Sequence, residues 1–220
     1  FNGISINADA RKVTVSNCFV DNPYNDCIWI SGDQTIVSGC VLSNSDQRNG
    51  IWVTSAEHSV ILGNEIYGNV GAGVKLDSGS HYANVSFNEC RGNGSYGIYI
   101  ESSAFNEIVG NIVKSNLHGI ADFYYGLNNI DANYIAWNDG HGIYLYRCQQ
   151  TRCSNNYIIV NGQGTDATYD GIHVEGTSTT ASNRNLICGN YIQAGATTNR
   201  QRVGIYLSLI HISEPTRLLS

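Results

Sequence analysis

Three residues able to exchange protons recur at one place in a repeating pattern. His118, His141 and Asp170 each stand immediately before a glycine, at separations of 23 and 29 residues. A histidine and a carboxylate within reach of one substrate can supply a general base and a general acid. The same pattern gathers Asp139, Tyr144, Tyr146, Arg147, His173 and Glu175 around them, and Arg147 can steady a developing negative charge. Ordinary turn polarity accounts for the same residues without chemistry, and both readings stand at this point.

The elements that must position them are short strands in a repeat. Gly97–Asn116 shows one unit in full. Ile98 and Ile100 face one side, Tyr99 and Glu101 the other, a turn follows through Asn106, and apolar positions return at Ile108 and Val113. Such short alternation, broken by Ser, Asn and Gly, marks strands rather than an amphipathic helix. Units open at Gly3, Cys27, Gly50, Gly73, Gly97, Gly119, Gly142, Gly171 and Gly204, with steps of 24, 23, 23, 24, 22, 23, 29 and 33 residues. A recurring period of this kind means a solenoid. Four apolar ladders follow, beginning at Ile4, Ile6, Val15 and Val20, so that about eight to nine coils of about 23 residues share one continuous core. Polar ladders run Cys18, Cys40, Asn64, Asn88, Asn111, Asn133, Asn156, Asn190 and Asn69, Asn93, Asn116, Asn138, Asn161. Asparagine suits these turns because it tolerates left-handed backbone angles and its amide can bond the next coil.

Alternation sends one line of the first strand outward: Ser5, Trp29, Trp52, Lys75, Tyr99, Ala121, Tyr144, His173, Tyr206. The next outward line includes Asp77, Glu101, Tyr146 and Glu175. Aromatic faces beside carboxylates suit a sugar chain, with rings to stack on and acceptors for hydroxyls. The bland alternative is a ladder that only stabilises neighbouring strands. Asp77 and Glu101, on adjacent coils, can approach the roughly 5–5.5 Å of a retaining glycosidase. The coils lengthen over 161–169, 176–184 and 195–202, and long loops on a rigid repeat tend to overhang a functional surface. Asp122 stands where the second ladder calls for Ile or Leu. The favoured expectation is a bulge that turns Phe123 inward, and the other is a buried, proton-retaining acid.

The chain carries 24 Gly, two Pro, 14 Tyr and 14% charged residues, the composition of an ordered, turn-rich all-β chain. Its net charge of −6 argues against nucleic acid, which calls for clustered Lys and Arg. It also favours a neutral or weakly acidic glycan over a polyanion, unless Ca²⁺ bridges the two; no Asp-rich Ca²⁺ loop and no metal site is evident. No apolar run approaches the roughly 18 residues of a membrane span. Seven cysteines lack metal-pair spacing and read as buried thiols, with a Cys18–Cys40 disulfide geometrically allowed.

With its Gly-Ile-x-Ile and Gly-Asn-x-Ile coils and asparagine ladder, the chain resembles the right-handed parallel β-helix proteins of the pectate-lyase-like superfamily over residues 3–206. That resemblance implies a polysaccharide-recognising protein, and a lyase, hydrolase or epimerase acting on the chain it binds. The alternative it carries is a non-catalytic structural or adhesive solenoid such as a phage tailspike or a surface-protein arm. It also implies an extracellular setting or a cell or virion surface. Asn25-Asp26-Cys27-Ile28 resembles the second acidic motif of polygalacturonases, but Arg48-Asn49-Gly50 stands where Gly-His-Gly would follow. Gly140-His141-Gly142 comes four coils later than that motif requires, and Asn2-Gly3 replaces the first Asp-Gly. Residues 1–206 are read as a β-helix truncated at both ends, whose open ends can self-associate. Residues 207–220 resemble a translated sequencing adapter and are set aside, His211 and Glu214 included.

Overall fold

The computed structural model describes residues 1–165, 167–177, 179–195 and 201–208. The chain winds as an all-β parallel solenoid whose strands fall into three parallel sheets of nine, eight and eight strands. The first sheet runs from Ile4–Ile6 to Ile205–Ser208, the second from Thr14–Ser16 to Leu186–Cys188, and the third from Phe19–Asp21 to Tyr191–Gln193. Each of the first eight coils contributes one strand to each sheet and, among the described residues, the ninth adds one to the first, so the repeat read in the sequence is the circuit of the chain. Among the described residues no helix is long and apolar enough to cross a membrane. Residues 209–220, and with them His211 and Glu214, lie outside the described residues, as do 166, 178 and 196–200 within the long loops.

The apolar ladders hold their register. Ile4 pairs with Ile28, Val74 with Ile98, and Ile172 with Ile205, while Val85 pairs with Ile108 in the second sheet and Cys90 with Val113 in the third. Ile28, Ile51, Ile98, Ile120 and Ile143 are fully buried and belong to one core cluster. Glycine opens a coil where the chain passes close over that core. A Cβ added at Gly97 would collide with a methyl of Val113 and sit against the Asn116 amide.

Asp122 corrects the favoured expectation. There is no bulge: Ile100 pairs with Asp122 and Asp122 with Leu145, so the carboxylate occupies the apolar ladder while Phe123 faces outward. The niche is polar. Asn128 Nδ2 donates to Asp122 at 3.0 Å and Thr151 Oγ1 at 2.7 Å. Burial still wins over these two donors, raising the carboxyl to about 6. All seven cysteines are free thiols, so the Cys18–Cys40 disulfide is not formed. Instead Cys40 Sγ accepts the Cys18 N–H at 3.4 Å, in the way an asparagine oxygen would.

The asparagine ladder works differently from the expectation. The left-handed residue is the one before each asparagine: Gly63, Phe87, Gly110, Ala132 and Asn155 have φ of 62°, 56°, 67°, 54° and 54°. The asparagine itself closes the hydrogen bonds. Asn111 Oδ1 accepts the Asn88 N–H at 3.0 Å and its amide at 3.1 Å, while Asn111 Nδ2 donates to Val85 O at 2.9 Å and to Asn133 Oδ1 at 3.0 Å. Removing that side chain strands buried donors and acceptors on two coils. Asn111→Ala is expected to destabilise the fold by about 3 kcal/mol, read as a lower urea midpoint, because each stranded buried group costs roughly 1–3 kcal/mol.

Candidate active site at the end of a polar ladder

The residues before each opening glycine form a ladder of their own. Asn2 Oδ1 accepts the Asp26 N–H at 3.3 Å, Asp26 Oδ1 the Asn49 N–H at 3.0 Å, and Asn49 Oδ1 the Ala72 N–H at 2.9 Å. Further along, His118 Nδ1 accepts the His141 N–H and His141 Nδ1 the Asp170 N–H, both at 3.0 Å. An Nδ1 that accepts an amide proton carries none itself, so His118 and His141 are neutral rings with the proton on Nε2. Burial holds them neutral, lowering His118 to about 4 and, with His173 and His118 adding repulsion, His141 to about 3. They can donate from Nε2, but neither is a ready base.

At Asp170 the ladder stops and its side chain turns to other partners. Arg202 clamps the carboxylate, Nε to Oδ1 at 3.0 Å and an Nη nitrogen to Oδ2 at 2.8 Å. His173 Nδ1 meets the same Oδ2 at 2.7 Å. Burial alone would raise this carboxyl, yet Arg202 and His173 hold it below its usual range. His173 Nε2 lies 3.5 Å from Glu175 Oε2, which accepts the Tyr144 hydroxyl at 2.5 Å. The result is an unbroken polar chain, Arg202–Asp170–His173–Glu175–Tyr144, flanked by the rings of His141 and Tyr206 at 4.3 and 4.9 Å from His173. A proton on His173 Nε2 faces Glu175 while one on Nδ1 faces Asp170, so the doubly protonated ring lies between two carboxylates. Burial and Glu175 keep Tyr144 protonated. One side chain that can take up a proton therefore sits beside one that holds one.

The structure brings His118, His141, His173, Tyr144, Asp170 and Glu175 together. Asp139 is exposed and forms no ion pair with this cluster among the described residues. Arg147 bonds Thr177 at 3.0 Å and lies over Tyr124 and Tyr146, so the guanidinium that joins this cluster is Arg202. Tyr146 meets Phe123 edge to face at 5.3 Å. Phe123 also contacts Tyr99 at 5.3 Å and Tyr144 at 5.0 Å, bridging the gap that Ala121 leaves in the outward aromatic line. Asp77 and Glu101 both pair with Lys75, at 3.2 and 2.9 Å. Lys75 thus bridges the two carboxylates and cancels one of their two charges. Trp29 and Trp52 sit half-buried in the first sheet, Trp52 beneath Arg48 at 5.1 Å.

Sequence reasoning passed over Arg202 and Tyr169. Tyr169 sets its ring edge against His118 and His141 at 5.8 and 5.1 Å, so the end of the 161–169 loop packs against the site. Arg202 had a signal. It stands two residues before Gly204 with Tyr206 two after, and Arg48 stands so before Gly50 with Trp52 after; each guanidinium lies over its aromatic ring, at 4.1 and 5.1 Å.

His141, Asp170 and His173 each offer a ligand atom within 4.8 Å of the others, the arrangement from which a metal site is built. Two of those donors are already committed: the His141 Nδ1 lone pair faces the Asp170 N–H, and both Asp170 oxygens face Arg202. An ion there would have to displace a cation and a backbone hydrogen bond.

A family model described as right handed beta helix region matches residues 2–129, and one described as periplasmic copper-binding protein (NosD) matches residues 78–208. No curated protein matches the sequence. Among solved structures, the A-module of the Azotobacter vinelandii mannuronan C-5 epimerase AlgE6 superposes with a TM-score of 0.80 at 15% identity, over 91% of this chain and 56% of that one. The periplasmic alginate epimerase AlgG gives 0.72 at 17% identity, over 94% and 48%. The Dettilon tailspike protein gives 0.72 at 16%, over 93% and 49%. The chain thus spans about half the length of these structures, and identities this low establish the fold alone.

The histidine ladder has a pH signature. Because the folded-state values of His118 and His141 are depressed, the unfolded chain binds the protons first, and the stability from each neutral ring is lost as pH falls below about 6.5. His141→Asn keeps a ladder acceptor, as Asn2 and Asn49 do, and removes one such proton. Between pH 7 and pH 5 the wild type is expected to lose about 2 kcal/mol more than this variant in urea unfolding.

Proposed function

The chain belongs to the right-handed β-helix family, and we propose that it binds a polysaccharide along its first sheet and moves a proton on one sugar unit at the Tyr144–His173 pair. The observation that carries this reading is His173, held through Nδ1 by Asp170 with Nε2 facing Glu175, beside a Tyr144 that keeps its proton. His173 Nε2 takes the proton, and Asp170 and Glu175 stabilise the imidazolium. Tyr144, on the neighbouring coil, swings its hydroxyl from Glu175 and gives its proton to the opposite face of the same carbon in epimerisation, or to the departing glycosidic oxygen in elimination. The tyrosinate then regains a proton from water and His173 returns its own. Arg202 acts through Asp170, fixing the ring of His173, and is a positioning residue.

Proton transfer at carbon narrows the reaction classes to lyase and epimerase. Hydrolysis needs two carboxyls, one holding a proton and one free, and here Asp170 is clamped by Arg202 while Glu175 is engaged by Tyr144. A sugar carbon that loses a proton must lie beside a carbonyl, so the substrate class becomes a uronate-containing chain. This departs from the neutral glycan favoured by net charge, and the fold-level likeness to epimerases of mannuronan and alginate supports it. The periplasmic and tailspike proteins among those of like fold support an extracytoplasmic or surface setting. Copper, which describes one matching family, is not carried over, because the His141–Asp170–His173 donors are already engaged.

The test is turnover of polymannuronate and polygalacturonate in D2O, read by NMR as deuterium at a sugar carbon or as an unsaturated end. The wild type is expected to show one of these, and His173→Ala and Tyr144→Phe to lose it by at least 100-fold. Reducing ends formed with neither deuterium nor unsaturation would mean hydrolysis. No turnover of either polymer by folded protein would leave the structural solenoid as the better reading.

A further inference from the structure

The ladder before the opening glycines contains a second acid, Asp26, whose charge the fold does not need. Asn2 and Asn49 occupy the same place one coil to either side and accept the next coil's N–H just as Asp26 does. Asp26 is 1% exposed, and while its Oδ1 takes the amide and N–H of Asn49, its Oδ2 has no hydrogen-bond partner. Burial raises its carboxyl above the usual range, more than the Asn49 bonds and Arg48 lower it. A buried carboxylate oxygen without a partner costs stability, and an asparagine would do the structural work without that cost.

What surrounds Asp26 says what the acid is for. A cleft of about 370 Å³, in the range that holds a small-molecule ligand, is lined by Asp26, Trp29, Arg48 and Trp52 among others. Arg48 and Trp52 also line a neighbouring cavity of about 400 Å³, bounded further on by Lys75 and Tyr99, so the two form one trough along the first sheet. Trp52 Nε1 is buried without a hydrogen-bond acceptor. Arg48 occupies the place in its coil that Arg202 occupies in its own, but Arg202 is neutralised by Asp170, whereas Arg48 forms no ion pair among the described residues. Lys75, the other cation of the trough, is matched by Asp77 and Glu101. Two indoles, a guanidinium that lies over Trp52 without a carboxylate partner, an unused buried acceptor and an unused buried donor are thus gathered in one cleft.

We infer that the Asp26–Trp29–Arg48–Trp52 cleft is a second, non-reacting subsite for a uronate unit, with Arg48 pairing its carboxylate, the indoles packing its ring, and Asp26 and Trp52 Nε1 bonding its hydroxyls. The substrate class rests on the reading given under Proposed function. From Trp52 to Tyr144 is four coils, about 19 Å at the parallel-strand spacing, so one chain several units long spans both places. The subsite contributes affinity and charge selectivity rather than chemistry.

The experiment measures dissociation constants of the 220-residue chain for octamers of mannuronate and galacturonate and for a neutral mannose octamer, with turnover assayed in parallel. The wild type is expected to bind a uronate octamer at least tenfold tighter than the neutral one. Arg48→Gln removes that preference, leaving neutral binding unchanged. Asp26→Asn, which the ladder accommodates, weakens the uronate octamer several-fold while melting no lower than the wild type. His173→Ala leaves binding within twofold and loses turnover. Wild-type affinity in both Arg48→Gln and Asp26→Asn, or no binding of either uronate octamer, overturns the subsite. Retained turnover in His173→Ala with weakened binding in Arg48→Gln would instead overturn the proposed chemistry and leave the subsite standing.

Discussion

Most turns of this solenoid are finished by the coil next to them. The recurring interaction is a side-chain acceptor, from asparagine, aspartate, histidine or cysteine, that takes the backbone N–H of the neighbouring coil at the same position. A lone coil would leave those groups to water, and a stack buries them paired. The apolar ladders supply the driving force for stacking. The polar ladders fix its register, since a slip would separate every acceptor from its donor. The outward faces of the first sheet inherit that precision, which is what a set of side chains meant to share a proton requires.

The proposed chemistry lies where this interaction is interrupted. His118 and His141 look catalytic by residue type, yet each spends its Nδ1 on the ladder and is held neutral by burial. Asp170 is the first member of that run whose side chain accepts no backbone N–H from the following coil. Released from structural duty, it is captured by Arg202 and orients His173. The two longest coil steps, 29 and 33 residues, fall beside it, and the added length delivers Tyr169 and Arg202.

The repeat was legible because each ladder position has one demand, apolar, small or amide-bearing, repeated often enough to read through exceptions. Pairings such as Trp29 with Trp52 and Tyr144 with His173 follow from counting alone. Asp122 was misread because an apolar ladder predicts its own continuation, while the donors that make a polar niche, Asn128 and Thr151, lie in other strata of the coil. The left-handed turn residue was misplaced by one, since Phe87, Ala132 and Trp137 hold that conformation against their intrinsic preference. Which histidines act as structure could not be read from residue type, because an imidazole and an asparagine amide present the same acceptor to a passing N–H. Asp26 and Asp170 share one sequence place, and only their partners separate them.

The proposed division between ladder and chemistry rests on the protonation pattern of three histidines, and nitrogen-15 NMR of the imidazole rings reads it directly. His118 and His141 are predicted to be neutral Nε2–H tautomers throughout the range from pH 7 to pH 5, with His173 carrying its proton on Nδ1 toward Asp170. A His141 ring that protonates near pH 6.5, or a His173 with Nδ1 bare, would contradict the claim that the ladder ends and the chemistry begins at Asp170.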